Sequence, residues 1–398
     1  MQEREILKKA NALQGELITI YEHLHKRAEV GFDLPKTTAY IQEKLTEYGY
    51  QPKTCGRSGI VAEIGQGEQA FLLRADMDGL PIAEKTDLSY ACKTGNMHAC
   101  GHDMHATALL GAAKILKENE KCLKGKIKLL FQPAEEILQG ASEMIKAGVL
   151  KAPKVDGAMM LHALVSSPLP TGTAIVAQGV SAPAADYFTI TVKGKACHGS
   201  APQNGVDALS ASAHILIALQ ELSARELSPA TPAVLTVGKC MAGSAGNVIA
   251  ERAVLEGTLR AFDEKVREQV KKRLMEISKG VAKAFRASAT VAFGGGCPTL
   301  VNEENLSKLA LESLQKTLGK DRAFSAKELG GSVVESNGGS EDFAYFSHAV
   351  PSVMIGLSAG AAQDGYTYPL HHAKVKFDKS ALSIGAAIYA SMAFAWKK

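Results

Sequence analysis

The stretch Ala70-Phe71-Leu72-Leu73-Arg74-Ala75-Asp76-Met77-Asp78-Gly79-Leu80-Pro81 begins as an apolar run and ends in two acids. Phe71, Leu72 and Leu73 are apolar at consecutive positions, so both faces of a strand formed here are apolar. Such a strand belongs in the centre of an α/β sheet, covered on both sides. The pattern recurs twice downstream. Residues 126–131 lead into Gln132-Pro133-Ala134-Glu135-Glu136, and residues 155–161 lead into His162. Ligands of open α/β sheets bind beyond the carboxyl ends of the strands. Asp76, Asp78, Glu135, Glu136 and His162 each follow such an end. Residues 59–64, just before the first run, read as its hairpin partner, turning around Gly65 and Gly67.

Between the first two runs lies Met97-His98-Ala99-Cys100-Gly101-His102-Asp103-Met104-His105. Thiol, imidazole and carboxylate groups are the side chains that hold borderline transition metals. Cys100 and His102 are two residues apart, which on a helix sets them on nearly opposite faces. In a loop both can point the same way, so Cys100-Gly101-His102 reads as a loop giving two donors to one site. A helix of small residues follows over 106–117. Adjacent glutamates at a strand end point in different directions. Glu136 can then hold a metal while Glu135 acts as base toward a water. Cys100, His102, Glu136, His162 and one late histidine exceed the needs of one open tetrahedral site. They suit two metals about 3.5–4 Å apart, of which zinc, manganese, cobalt and nickel all match mixed S, N and O donors.

Composition narrows the setting. A chain of 398 residues with 46% hydrophobic and 22% charged residues is ordinary for a globular enzyme, and two domains are the natural expectation. A formal charge of +4, evenly spread, argues against nucleic acid as partner. No apolar run is long enough for a membrane span. Met1-Gln2-Glu3-Arg4-Glu5 is charged and no apolar signal core follows. Seven cysteines at irregular spacing point to a reducing compartment, the cytoplasm.

Helical periodicity covers residues 2–26 and 36–48. From about Pro183 the pattern changes. Strands are expected over 187–192, 233–239, 253–260 and 287–293, with helices over 205–224 and 263–285. That order, β-α-β-β-α-β, is a ferredoxin-like unit. It reads as an insertion over 184–293, with Ser181-Ala182-Pro183-Ala184 and Gly294-Gly295-Gly296 as hinges, inside an α/β domain formed by 1–183 and 294–398. The first architecture resumes with a helix over 303–318 and the glycine-rich loop Gly338-Gly339-Ser340-Glu341-Asp342-Phe343. A buried strand over 352–357, Pro369-Leu370-His371-His372 and a C-terminal helix from Lys379 complete the chain.

Taken together, Arg74–Pro81, Met97–Asp103, Gln132–Glu136 and Gly339–Phe343 resemble motifs of the di-metal aminoacylase/carboxypeptidase family, in its amidohydrolase branch of hippurate hydrolases, N-acyl-amino-acid deacylases and auxin-conjugate hydrolases. The resemblance covers almost the whole chain. It implies an α/β metal-hydrolase domain with an inserted ferredoxin-like lid and dimerisation domain. It implies two divalent metal ions held by Cys100, His102, Glu136, His162 and His371, with Glu135 as general base. Asp76 and Asp78 then orient the donors, and His98 and His105 are structural. Lys195-Ala196-Cys197-His198-Gly199 resembles the lid segment whose histidine meets the substrate carbonyl, with Ala196 and Cys197 where glycines are usual. Asn247 matches a residue near the substrate. Arg260 matches one facing the substrate carboxylate, a role suited to a guanidinium fork. The implied partners are an N-acyl-amino acid or short peptide and a second copy of the chain.

Other chemistries fit parts of the pattern. A dipeptidase or carboxypeptidase could use the same site. A cysteine hydrolase would make Cys100 the nucleophile, and a metal-sensing protein would need no base. The Glu135-Glu136 pair favours metal-assisted hydrolysis, since neither of the last two requires a second carboxylate.

Overall fold

The computed structural model describes residues 3–330 and 339–397. Gln2, at the start of the first predicted helix, and Gly338, at the start of the predicted glycine-rich loop, lie outside them. The chain divides into two compact units. One runs to Ser181, resumes at Leu300 and includes Glu341 onward; the other spans Ala182–Thr299 and includes Ser340.

In the first unit the strands are β1 (Lys53–Cys55), β2 (Gly59–Ile64), β3 (Gln69–Asp76), β4 (Lys126–Gln132), β5 (Lys154–Leu164) and β6 (Ala174–Val176). After β7 (Gly179–Ala182) the chain enters the second unit, which holds β8 (Ala184–Lys193), β9 (Ala233–Ala242), β10 (Arg252–Ala261) and β11 (Ser288–Cys297). It returns with β12 (Leu300–Asn302), β13 (Ala323–Ser325) and β14 (Ser352–Ser358). The large sheet has the order β1-β2-β4-β3-β5-β14-β6-β13. β3 is central, as its sequence requires, and Phe71, Leu72 and Leu73 are fully buried. It runs parallel to β4 and β5, and β14 is parallel to β5. Four carboxyl ends therefore meet at one edge.

The expected hairpin of β2 and β3 does not form. β4 lies between them, antiparallel to β2 and parallel to β3. The strand that is apolar on both faces takes two parallel neighbours, while β2, with Glu63 exposed, is displaced toward the rim.

The helices of this unit are α1 (Glu3–Ala12), α2 (Gln14–His25), α3 (Pro35–Glu47), α4 (His102–Glu118) and α5 (Gly140–Lys146). The single N-terminal helix expected from periodicity is broken at Leu13, whose N–H bonds to Ala10 O at 3.0 Å. Gly15, a poor helix former, follows two residues later. α4 begins at His102, four residues earlier than the small-residue pattern predicts, because Gly101 in the left-handed region (φ 82°) starts the turn. It packs on the alanine-rich C-terminal helix Ala381–Ala395. A Cβ on Gly385 would come within 2.9 Å of Ala108 Cβ, so the two helices approach through small residues.

The second unit adds α6 (Ala208–Ala218) and α7 (Glu264–Ala284), and α8 (Glu304–Leu318) follows in the first. Its sheet order is β11-β8-β10-β9 with antiparallel neighbours throughout, the arrangement of a ferredoxin-like unit. Asp207 and Asp263 cap α6 and α7 through their carboxylates. Ile190, Leu255, Leu259 and Leu274 fill its core. The helix expected over 205–224 is shorter, giving way to a π-helical turn at Leu222–Glu226. Gly294-Gly295-Gly296 is not a hinge. These residues lie within β11, with a register shift between Phe293 and Gly295. A Cβ on Gly296 would come within 2.0 Å of Ala185 O, so glycine there permits close strand approach. Among the described residues no helix is long and apolar enough to cross a membrane.

Candidate metal centre

Asp76 ends β3, Glu135 and Glu136 follow β4, and His162 lies near the end of β5. Parallel pairing aligns these ends, and α4 brings His102 to the same edge in its first turn. Cys100, His102 and His162 offer donor atoms within 4.8 Å of one another. So do Cys100, Glu136 and His371, and likewise His102, Glu135 and Glu136. The late histidine at the cluster is His371, held at φ 64° by its N–H bonding to Ala99 O at 2.9 Å. Its Nε2 lies 3.5 Å from Glu136 Oε2. His372 instead stacks on Tyr368 and accepts from the Lys374 N–H through Nδ1.

The imidazoles are fixed from behind. His102 Nδ1 donates to Asp78 O at 2.9 Å, and His162 Nδ1 donates to Ala163 O at 2.9 Å. Each ring thus turns Nε2 toward the cluster. His102 Nε2 is buried without a hydrogen-bond partner, as is Glu136 Oε1. Asp76 Oδ2, Glu135 Oε2 and Glu136 Oε1 each stand 3.8 Å from that nitrogen. That is too long for a hydrogen bond. It is close to the separation, about 3.4 Å, of two donors each about 2.1 Å from one tetrahedral ion. Unpaired buried polar atoms are costly, and a cation among these donors satisfies them together. The residues present fit divalent ions.

The Peptidase family M20/M25/M40 matches residues 72–395. The chain belongs to this family. It is 40% identical to an N-acetyl-L-cysteine deacetylase of Bacillus subtilis, over 94% of this chain and 86% of the relative. With an IAA-amino acid hydrolase of Arabidopsis thaliana the identity is 35%, over 96% and 85%. The crystal structure of a dinuclear metal-binding M20 peptidase from Bacillus subtilis superposes with a TM-score of 0.79 at 30% identity, covering 96% of this chain and 98% of that one. This chain is accordingly an M20 hydrolase, an enzyme with the mixed α/β fold of its relatives.

A frame of charged groups holds these candidate donors. Asp78 accepts the Glu135 and Glu136 N–H groups at 3.1 and 3.2 Å, one on each carboxylate oxygen. The same residue's carbonyl holds His102, so Asp78 orients three site residues. Asp76 accepts from His105 Nδ1 at 2.5 Å and from Arg74 at 2.6 Å. His105 Nε2 accepts the Ala163 N–H at 2.8 Å. Both of its nitrogens are therefore committed, and it acts structurally.

Arg74, fully buried, also reaches Gln132, Glu341 and Asp342 at 2.9 Å each. Gln132, Glu341 and Asp342 had no role assigned from sequence. The available signal was Arg74 itself, since a guanidinium inside an apolar strand requires buried carboxylates.

These charges set the titration of the acids. Burial pushes Glu135 well above the usual carboxylate range, with Glu341 and Glu136 adding to it. Burial likewise brings Glu136 up to about 7, opposed by His102 and reinforced by Asp78 and Asp76. Burial opposes a charge on His102, yet Asp76 and the bond to Asp78 push it well up. The pocket favours positive charge where the ions would sit.

His198, Asn247 and Arg260 belong to the second unit. His198 is exposed, and its Nδ1 accepts the Ser200 N–H at 3.2 Å. Asn247 is exposed, and its carbonyl accepts the Gly199 N–H at 2.7 Å. Arg260 is half-buried and donates to Ser340 Oγ at 2.5 Å. Cys55, Cys92, Cys100, Cys122, Cys197 and Cys240 are not joined in disulfides.

Proposed function

We propose that this M20 enzyme hydrolyses the amide bond of N-acyl-amino acids, using two divalent ions held by Cys100, His102, Glu136, His162 and His371. The observation that carries the reading is the division of labour after β4. Glu136 turns an unpaired oxygen to the donors, and Glu135 beside it is buried and made more basic by neighbouring acids. The names of the deacetylase and the IAA-amino acid hydrolase describe amino acids acylated on nitrogen, which supports this substrate class. When bound, zinc, manganese, cobalt or nickel supplies Lewis acidity to the scissile carbonyl and to water. Glu135 accepts a proton from the attacking water and returns it to the leaving nitrogen as the C–N bond breaks. The products are a carboxylate and a free amino group.

His198, whose Nδ1 accepts from Ser200, keeps its hydrogen on Nε2 and donates it to the developing oxyanion. Arg260 receives the substrate carboxylate, and Asn247 lines its path. The inserted unit acts as lid and as dimer contact. Val234 and Met241 on edge strand β9, with Leu209 and Ile217 on α6, are exposed apolar residues in support of pairing. Free cysteines support a cytoplasmic setting. A nucleophilic role for Cys100 is disfavoured, because burial and Glu136 push its thiol up, opposite to activation. A second reading, cleavage of short peptides at the same site, is favoured by the peptidase among the structural relatives.

The test is chelation, with a panel of acetyl, benzoyl and peptidyl amides as substrates. Loss of hydrolysis in EDTA and its return with added ions supports the proposal. Activity that survives chelation and falls on thiol alkylation overturns it. The ratio of acyl to peptidyl turnover separates the two substrate readings. Mixing inactive His198→Ala and Glu135→Gln subunits under exchange tests whether His198 serves the partner's site; verified exchange without regained activity rejects that.

A further inference from the structure

A second buried polar cluster lies behind the donor set. His25 closes α2, with its Nδ1 2.7 Å from Asp103 Oδ2 and its Nε2 3.3 Å from Glu84 Oε1. Its side chain is 1% exposed, and those of Asp103 and Glu84 are 0%. Both ring nitrogens face carboxylates, so the ring donates from each. Burial opposes charge on His25, but the bonds to Asp103 and Glu84 outweigh it and raise the imidazole to about 10. Tyr21 and Tyr90 pack against the ring at 5.6 and 5.3 Å between centroids, closing it from solvent.

Each partner of His25 organises another segment. Asp103 Oδ1 accepts the Met104 N–H at 2.9 Å, a donor in the first turn of α4 that it shares with Gly101 O. Glu84 Oε2 accepts the Cys92 N–H at 2.6 Å, and its other oxygen accepts the Thr86 hydroxyl. One imidazole thus ties the end of α2, the 84–92 loop and the start of α4 together. Asp103 is the residue after His102, and the left-handed Gly101 separates His102 from Cys100. The rotation of this turn therefore sets where two donors point. Metal sites tolerate errors of only about 0.2 Å in ligand distance, whereas a free helix terminus moves by more.

We propose that His25 is a positioning residue for the metal centre, acting through Asp103 on the first turn of α4. The inference rests on the metal reading of the donor set. Partners that orient ligands typically contribute about 10–100-fold to metal affinity.

The experiment titrates metal-freed full-length protein with Co2+, following the d–d bands and the thiolate charge-transfer band, and measures melting of the same metal-free samples. Leu314→Ala, a buried substitution in α8, serves as a stability control. His25→Ala is expected to weaken Co2+ binding by about 10–100-fold and to alter the band pattern. His25→Gln, which retains a donor toward Asp103, is expected to recover part of the affinity. Leu314→Ala is expected to melt early yet bind as wild type does. Wild-type affinity in His25→Ala, or an equal loss in Leu314→Ala, overturns the proposal. Should His25→Ala not fold, His25→Gln and Glu84→Gln are read in the same titration, and wild-type affinity in both overturns it. If the wild-type chain itself binds no Co2+, the metal reading has failed rather than this one.

Discussion

Two charged clusters lie buried at the same sheet edge, and they differ in how completely they are satisfied. Around Arg74 the guanidinium meets Gln132, Asp76, Glu341 and Asp342, and Asp342 further accepts from Gln132 and the Ala141 N–H. Around His102 the geometry is held from behind by Asp78, but Nε2 and Glu136 Oε1 have no partner. Both clusters cost desolvation. The first recovers most of it within the chain, with Glu341 Oε2 left without a partner, and so serves as scaffold. The second leaves donors converging on a space, so its balance is completed from outside the chain. The degree of saturation, more than burial or charge, separates frame from site.

The sharpest way to break this comparison is at Glu135. Glu135→Gln preserves shape and removes the base, and is expected to lower kcat by about 100- to 10,000-fold. Metal content by elemental analysis should stay near that of wild type. Near-normal turnover in a metal-loaded variant would falsify the assignment of Glu135.

Next in size is Arg74→Met. Removing one partner of a buried ionic cluster costs about 3–5 kcal/mol, read by urea unfolding of metal-free protein. An unchanged midpoint would mean that the Arg74 cluster is not the frame.

Glu136→Gln tests the opposite property of the open cluster. In the native state Glu136 is raised from 4.5 to about 7, so it holds its proton more tightly when folded. The folded state then binds more protons than the unfolded one across that window, and metal-free stability falls as pH rises through it. Glu136→Gln should remove this part of the pH dependence and leave metal-free protein at least as stable near pH 7, while weakening metal binding. Melting curves between pH 4.5 and 7 on chelated samples decide it.

The smallest expected difference from wild type is at His372. His371→Ala should weaken metal binding, because His371 Nε2 faces Glu136. His372→Ala, on a ring stacked against Tyr368, should leave both affinity and kcat/KM close to wild type. The reverse ranking would reassign the late ligand.

The readable part of the fold was the part with strong local patterning. Phe71-Leu72-Leu73 announced a central strand, and the β-α-β-β-α-β order announced the second unit. The pairing of β2 was not readable, because a strand's sequence reports its faces and not its neighbour. Gly294-Gly295-Gly296 misled for a related reason. Glycine permits both a hinge and a close strand approach, and only Ala185 across the sheet distinguishes them. At the site, the family resemblance implied an orienting role for Asp78, but not its three partners. His25 carried no local signal at all, since its partners lie 59 and 78 residues away in sequence.

The sequence by itself determined the chemical inventory: a thiol, imidazoles and paired carboxylates placed just beyond strand ends. Those choices are local, because side-chain identity fixes which atoms can donate and strand patterning fixes where a strand stops. Tertiary structure decided which atoms remain free. Asp78 and Ala163 occupy the Nδ1 atoms of His102 and His162, Ala163 and Asp76 use up His105, and Ala99 holds the backbone of His371. Whether a nitrogen is spent on a neighbour or left for an ion depends on contacts between distant segments, and those exist only once the chain has folded.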